Sequence, residues 1–156
     1  MALIIEGGLN LPLPRIVPVR QKFSAAEIKD IPAEIQRLFQ QDAKMSQIKK
    51  GSRIAVTGGS RGIHAIDKII LAVIRELKRL GADPFVVPAM GSHGGATAEG
   101  QKKVLAGYGI TEETMGVPVR SSMEVEEIGR LANGVPVYLE REALSADGIV
   151  VVNRVK

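Results

Sequence analysis

The chain has 156 residues, 45% of them hydrophobic, 24% charged and only 3% aromatic, with a formal net charge of +4 at pH 7. That length suits one domain with a real hydrophobic core, and the composition is that of a soluble globular protein. The absence of cysteine excludes a disulfide scaffold, a thiolate zinc site and a cysteine nucleophile, and makes the cytoplasm the default compartment.

No apolar run approaches the roughly 20 residues of a membrane span. The opening MALIIEGGLN lacks the basic start of a signal peptide. Dispersed charge with few aromatics argues against nucleic acid as a partner.

In chain order, residues 2–23 alternate short apolar pieces with Pro12, Pro14 and Pro18. Residues 3–6 and 16–19 read as edge strands, where a residue without an N–H is tolerated, with Gly7, Gly8 and Asn10 turning between them. Residues 24–41 read as a helix, with Asp30 as a possible cap and Pro32 near its start. Its Ile31, Ile35, Leu38 and Phe39 recur at three- and four-residue spacing and should form the buried face. Residues 1–50 are thus expected to be an appendage on a core of residues 51–156.

Beyond Gly51 and Ser52 the pattern changes. Residues 53–57 read as a strand, 63–80 as a helix stopped by Gly81, 83–88 as a strand, and 97–108 as a helix ending at Gly109. The first of these helices carries a wide stripe of Ile66, Ile69, Ile70, Val73, Ile74 and Leu77, as expected of a helix lying on a sheet. A turn over 111–115 precedes a short strand at 117–119. Residues 125–131 and 135–139 flank Ala132, Asn133 and Gly134, and Asn-Gly signals a hairpin. A short helix over 140–145 leads to 148–152, an apolar run that reads as a fully buried strand. The alternation predicts an α/β fold: a mostly parallel sheet with helices on both faces, Rossmann-like βαβ units, plus an antiparallel hairpin. Such sheets hold ligands at the carboxyl ends of their strands. Since the last strand is followed almost at once by Lys156, the sequence reads as the N-terminal part of a longer protein.

Two strand-to-helix turns carry the chemistry. In the first, TGGSRGI, Gly59, Ser60 and Arg61 combine bare backbone, a hydroxyl and a guanidinium, a set suited to phosphate or carboxylate. The turn looks like the nucleotide loop of short-chain dehydrogenases. However, His64 stands where that motif has its last glycine, and Tyr108 and Tyr138 are followed four residues later by Glu112 and Glu142 instead of the catalytic lysine. The next strand ends in Val87 and Pro88, with no charged residue to read a ribose. A dehydrogenase is therefore disfavoured.

The second turn, VVPAMGSHGGAT, centres on His93. Ser92, Gly94 and Gly95 around it offer a hydroxyl and open backbone to a substrate, and imidazole exchanges a proton near neutral pH. As βαβ neighbours, Arg61 and His93 should emerge on one edge of the sheet, an anion clamp beside a proton-transfer group. His64 reads as structural or solvent-facing. Glu124, Glu126 and Glu127 read as a solvated face, and Ser121, Ser122 and Asp147 as turn and cap residues. With two histidines and no H-E-x-x-H spacing, no metal site is expected within the chain, nor a serine–histidine–acid triad.

Together the G-S-R-G-I turn, M-G-S-H-G-G-A-T, the N-G-V-P-V-Y hairpin and the closing D-G-I-V-V-V-N-R-V-K resemble the N-terminal domain of lactate racemase-like proteins. The resemblance implies an N-terminal α/β domain that, with a C-terminal domain, encloses a cleft holding a nickel-pincer nucleotide. Such enzymes interconvert small 2-hydroxy acids by removing and returning a hydride. By motif, Arg61, with Ser60 and Gly59, would hold the cofactor's phosphate, and His93 would be the first of two acid/base histidines. Ser92, Gly94 and Gly95 would meet the substrate. Gly58 and Gly62 replace the racemase loop's aspartate and proline, and Gly94 replaces the arginine that follows its histidine. The second histidine, the lysine tether and the metal-binding histidine would all lie beyond Lys156. This chain alone is therefore expected to be inactive and to bind no cofactor by itself. The alternative is a non-catalytic module recognising an anionic metabolite or nucleotide.

Overall fold

The computed structural model describes residues 15–22, 27–59 and 62–154. The strand expected at 3–6 and its turn lie outside these residues, as do Ser60 and Arg61. The elements are α1 (Ile31–Gln41), β1 (Arg53–Gly58), α2 (Ile66–Arg79), β2 (Asp83–Pro88), α3 (Ala98–Gly107), α4 (Glu112–Met115), β3 (Val125–Arg130), β4 (Pro136–Glu140), α5 (Arg141–Leu144) and β5 (Gly148–Val150).

Strands β2, β1 and β5 form a parallel sheet in that order, with β1 central. Arg53 lies opposite Asp83 and Gly58 opposite Pro88, so β1 and β2 end level. On the other side Ile54 pairs with Gly148 and Val56 with Val150. The strand expected at 117–119 is a single bridge on the outer edge of β2. There the Val86 N–H donates to Pro118 O at 2.9 Å and the Arg120 N–H to Val86 O at 2.8 Å. The chain therefore winds outward from β1 through β2, then crosses back to β5. The reversal puts a topological switch point between β1 and β5.

The fold class is as predicted, but its two layers are unequal. On one face Ile54, Val56 and Val86 pack with Ile66, Ile70, Val73, Ile74 and Leu77 of α2, Leu105 of α3 and Met115 of α4. Ile70, Ile74 and Leu77 are fully buried, each contributing about 1.5–3 kcal/mol by removing apolar surface from water. On the other face Ala55, Phe85 and Val87 cluster, among the described residues, with Ala143 of the one-turn α5 and, less completely, with Leu139 and Ala146. The guanidinium groups of Arg53 and Arg120 complete that cover, 5.6 and 4.8 Å from the Phe85 ring centroid.

Several expected boundaries move, each for a local reason. Residues 16–19 form no strand: Ile16 is 93% exposed, and no described strand pairs with them. The helix expected over 24–41 begins at Ile31, since residues 27–30 are not helical and the Asp30 carboxylate accepts the Ala33 N–H at 3.0 Å and caps it there; residues 24–26 lie outside the described residues. Ile35 and Phe39 of α1 pack against the core, whereas Leu38 is 45% exposed. Helix α2 begins at Ile66 rather than Ile63, since Ala65 takes a left-handed conformation at its N-cap. The strand expected over 148–152 spans only Gly148–Val150 and is not fully buried. Ile149 is 39% and Val151 69% exposed, because β5 pairs with β1 alone and its outer face opens on a cleft.

The hairpin β3–β4 forms as expected. The Gly134 N–H donates to Leu131 O at 2.8 Å, and Gly134 takes the positive φ of 84° that such a turn demands. No helix among the described residues is long and apolar enough to cross a membrane.

Candidate functional site

Because β1 and β2 end level, the loops that follow them leave the sheet side by side. The Ala89 N–H donates to Gly58 O at 2.8 Å and ties the two exits together.

In the loop after β2, Met90 is buried as an anchor, and buried Gln101 of α3 donates its amide to Gly91 O at 2.7 Å. A single 3₁₀ turn, His93–Ala96, follows, with Gly94 and Gly95 at φ 65° and 68°. Gly94 and Gly100 approach so closely that a Cβ on either would overlap the other's backbone. Thr97 closes the turn, accepting the Gly100 N–H at 3.1 Å and donating to Gly94 O at 3.1 Å. The loop is thereby bound to the first turn of α3. His93 sits half-buried within it, its N–H directed to Met90 O at 3.4 Å. Of the neighbours assigned to substrate, Ser92 is exposed and Gly95 faces open space, whereas Gly94 is occupied by packing on Gly100.

In the loop after β1, a Cβ on Gly58 would lie 2.7 Å from Leu105, so α3 packs directly on the strand's end. Gly59 is buried between Ile63 and Asn153. Gly62 takes a left-handed φ of 76°, and a Cβ there would lie 2.5 Å from a guanidinium nitrogen of Arg154. Ser60 and Arg61 are outside the described residues, and His64 is exposed just before α2.

The third contributor is the segment after β5. Buried Thr57 accepts the Val152 N–H at 2.9 Å on its hydroxyl, extending the β1–β5 pairing past the last strand residue. Asn153 Oδ1 then accepts the Arg154 N–H at 2.8 Å. Asn153 and Arg154 thus come to lie against the β1–α2 loop, at the switch point. Sequence reasoning gave these two residues no role. Their position just past the carboxyl end of the last strand was the available signal.

Beneath the loops is a cleft of about 370 Å³ whose walls include Thr57, Ala89, Glu140, Ile149, Val151 and Asn153. A smaller one of about 220 Å³ shares Pro88, Ala89 and Glu140 with it and reaches Gly91 and Gln101. One oxygen of Glu140 accepts the Ala143 N–H at 2.8 Å and caps α5; the other is buried with no hydrogen-bond partner among the described residues. His93 is not on the wall of either cleft. Glu124 and Glu126 pair with Arg141, and Glu127 with Arg130, so these acids serve ion pairs of the hairpin. Asp147 accepts the Arg53 N–H at 2.8 Å and Ser122 the Glu124 N–H at 3.0 Å, both as turn residues. Among the described residues no three histidine or acidic side chains cluster as a metal site would need.

Chemically, this edge of the sheet combines bare glycine backbone, an amide and a guanidinium with a histidine loop alongside. The first three suit an oxyanion and the fourth a proton transfer. No curated protein matches the chain. A family model described as the lactate racemase N-terminal domain matches residues 9–156, a span that takes in both loops, the hairpin and the segment after β5.

Proposed function

The chain belongs to the lactate racemase N-terminal domain family, and on that footing we propose that it is the cofactor- and substrate-binding half of an isomerase of small 2-hydroxy acids. The observation that carries this reading is the level ending of β1 and β2, from which Gly59 and the loop of His93 leave at the same edge.

The residues present fit the nucleotide end of a nickel-pincer cofactor. Gly59 and Gly62 bring no side chain to the loop at the switch point, the place where a phosphate meets bare backbone. Gly59, Ser60 and Arg61 would hold that phosphate. When bound, the group supplies the hydride acceptor for C2 of the substrate. His93 removes the proton from the C2 hydroxyl in one direction and returns it in the other, which calls for a group titrating near neutral pH. Ser92 and the backbone of Gly95 orient the substrate's carboxylate, while Gly94, seated on Gly100, holds the turn in shape. One imidazole serves one face of the carbon, so a second acid/base must come from outside the described residues.

The test is racemisation of enantiopure 2-hydroxy acids in deuterated water by the intact gene product. Hydride removal and return interconverts enantiomers without placing deuterium at C2, and His93→Ala stops it while leaving the melting temperature within about 2 °C. Deuterium washed into C2, or full turnover by the His93→Ala protein, overturns the mechanism. Saturable anion binding without turnover of any 2-hydroxy acid would leave a binding module.

A further inference from the structure

We infer that the cleft of about 220 Å³ under the His93 turn is the subsite for the substrate's side chain at C2. It fits an uncharged branched or aromatic group and rejects a second carboxylate. The subsite rests on the proposed role of His93 at the C2 hydroxyl and adds the class of acid to it.

The backbone of the turn joins this cleft to the histidine. Met90 and Gly91, where the turn begins, are part of the cleft's wall, and the His93 N–H is directed to Met90 O at 3.4 Å. Gly91 stands two residues before His93, which keeps their Cα atoms within about 7 Å. A substrate carbon whose hydroxyl meets His93 and whose carboxylate meets Ser92 and Gly95 has one large substituent left to place. The larger cleft of about 370 Å³ shares Pro88 and Ala89 but includes neither Met90 nor Gly91.

The walls set what fits. Met123 and Val125 on the wall are 48% and 54% exposed, apolar surface that an entering side chain covers. Two polar neighbours are already engaged: the Gln101 amide donates to Gly91 O and the Ser122 hydroxyl accepts the Glu124 N–H. Glu140 brings the one carboxylate of the wall, and its second oxygen is buried with no partner among the described residues. With no donor to balance it, that oxygen makes a second anion beside it costly, whereas an uncharged group meets only apolar wall. Size then separates the uncharged acids. An apolar cavity of about 150 Å³ holds a benzene ring, so this one admits an isobutyl or benzyl group, and a methyl leaves most of it unfilled.

The test compares lactate, 2-hydroxy-4-methylpentanoate and malate with the intact gene product, reading kcat/KM and the rise in melting temperature that each acid gives. The isobutyl acid should exceed lactate about tenfold or more, since each further buried carbon is worth about fourfold, and malate should trail both. Val125→Phe, which fills the cleft, should lower the isobutyl-to-lactate ratio about tenfold. Glu140→Gln keeps an acceptor for the Ala143 N–H and should raise malate about tenfold against the isobutyl acid. Melting temperature without ligand is the fold control for both variants. Equal use of lactate and the isobutyl acid, or ratios that neither folded variant moves, refutes the subsite and leaves the racemase reading standing. A size ratio moved by Ile149→Phe, on the larger cleft, and not by Val125→Phe also overturns it. The expected order in melting temperature without turnover upholds the subsite and overturns racemisation. If no acid is turned over and none raises the melting temperature, both fail.

Discussion

Glycines that look alike in this sequence have different duties. Gly94 and Gly95 are adjacent, both left-handed, and both belong to the histidine turn. A Cβ at Gly94 would collide with the backbone of Gly100, whereas a Cβ at Gly95 would meet nothing within 4 Å. Gly94→Ala should therefore cost about 3 kcal/mol or more, strain and clash together, and Gly95→Ala about 1–2 kcal/mol from strain alone. Urea denaturation of the two variants checks this; equal losses would mean that the Gly94–Gly100 approach is not what locks the turn. Thr57 is a second case in which one atom holds much. Thr57→Val keeps the shape but leaves the Val152 N–H without its acceptor, a loss of about 1–2 kcal/mol.

Among the elements, α1 is held by its cap and by one side of its apolar stripe. Asp30→Ala removes the acceptor for the Ala33 N–H and should cost about 1 kcal/mol. Ile35→Ala should cost more than Leu38→Ala, because only Ile35 packs against the core while Leu38 stays largely in water. Comparable losses would mean that α1 is seated in a different rotation on α2. The apolar spacing put all four stripe residues on one face of a helix, but as a buried face it holds only in part: Ile31, Ile35 and Phe39 are half-buried and Leu38 is exposed. How far that face is covered depends on α2 and β5, which periodicity within α1 does not report.

At the scale of the molecule the uneven cover of the sheet decides where stability resides. Ile70, fully buried between α2 and the sheet, should lose about 2–5 kcal/mol on truncation to alanine, while Ile149 on the open side of β5 should lose under about 1.5 kcal/mol. Thermal unfolding of the two variants tests the asymmetry, and a large loss at Ile149 would contradict the open face. The sequence by itself determined the parallel α/β class, the order of the main strands and helices, the Asn-Gly hairpin, and the glycine-rich turn that bears His93. These follow from signals a few residues long: apolar period, glycine punctuation and capping side chains. Tertiary structure alone decided that, among the described residues, one face of the sheet is covered by long helices and the other by the single turn of α5. It alone also set the half-open position of β5, the interlock of Gly94 with Gly100, and the seat of Arg154 over Gly62. The last joins residues 92 positions apart across a crossover. No local pattern encodes such a contact; the switch of strand order between β1 and β5 creates it.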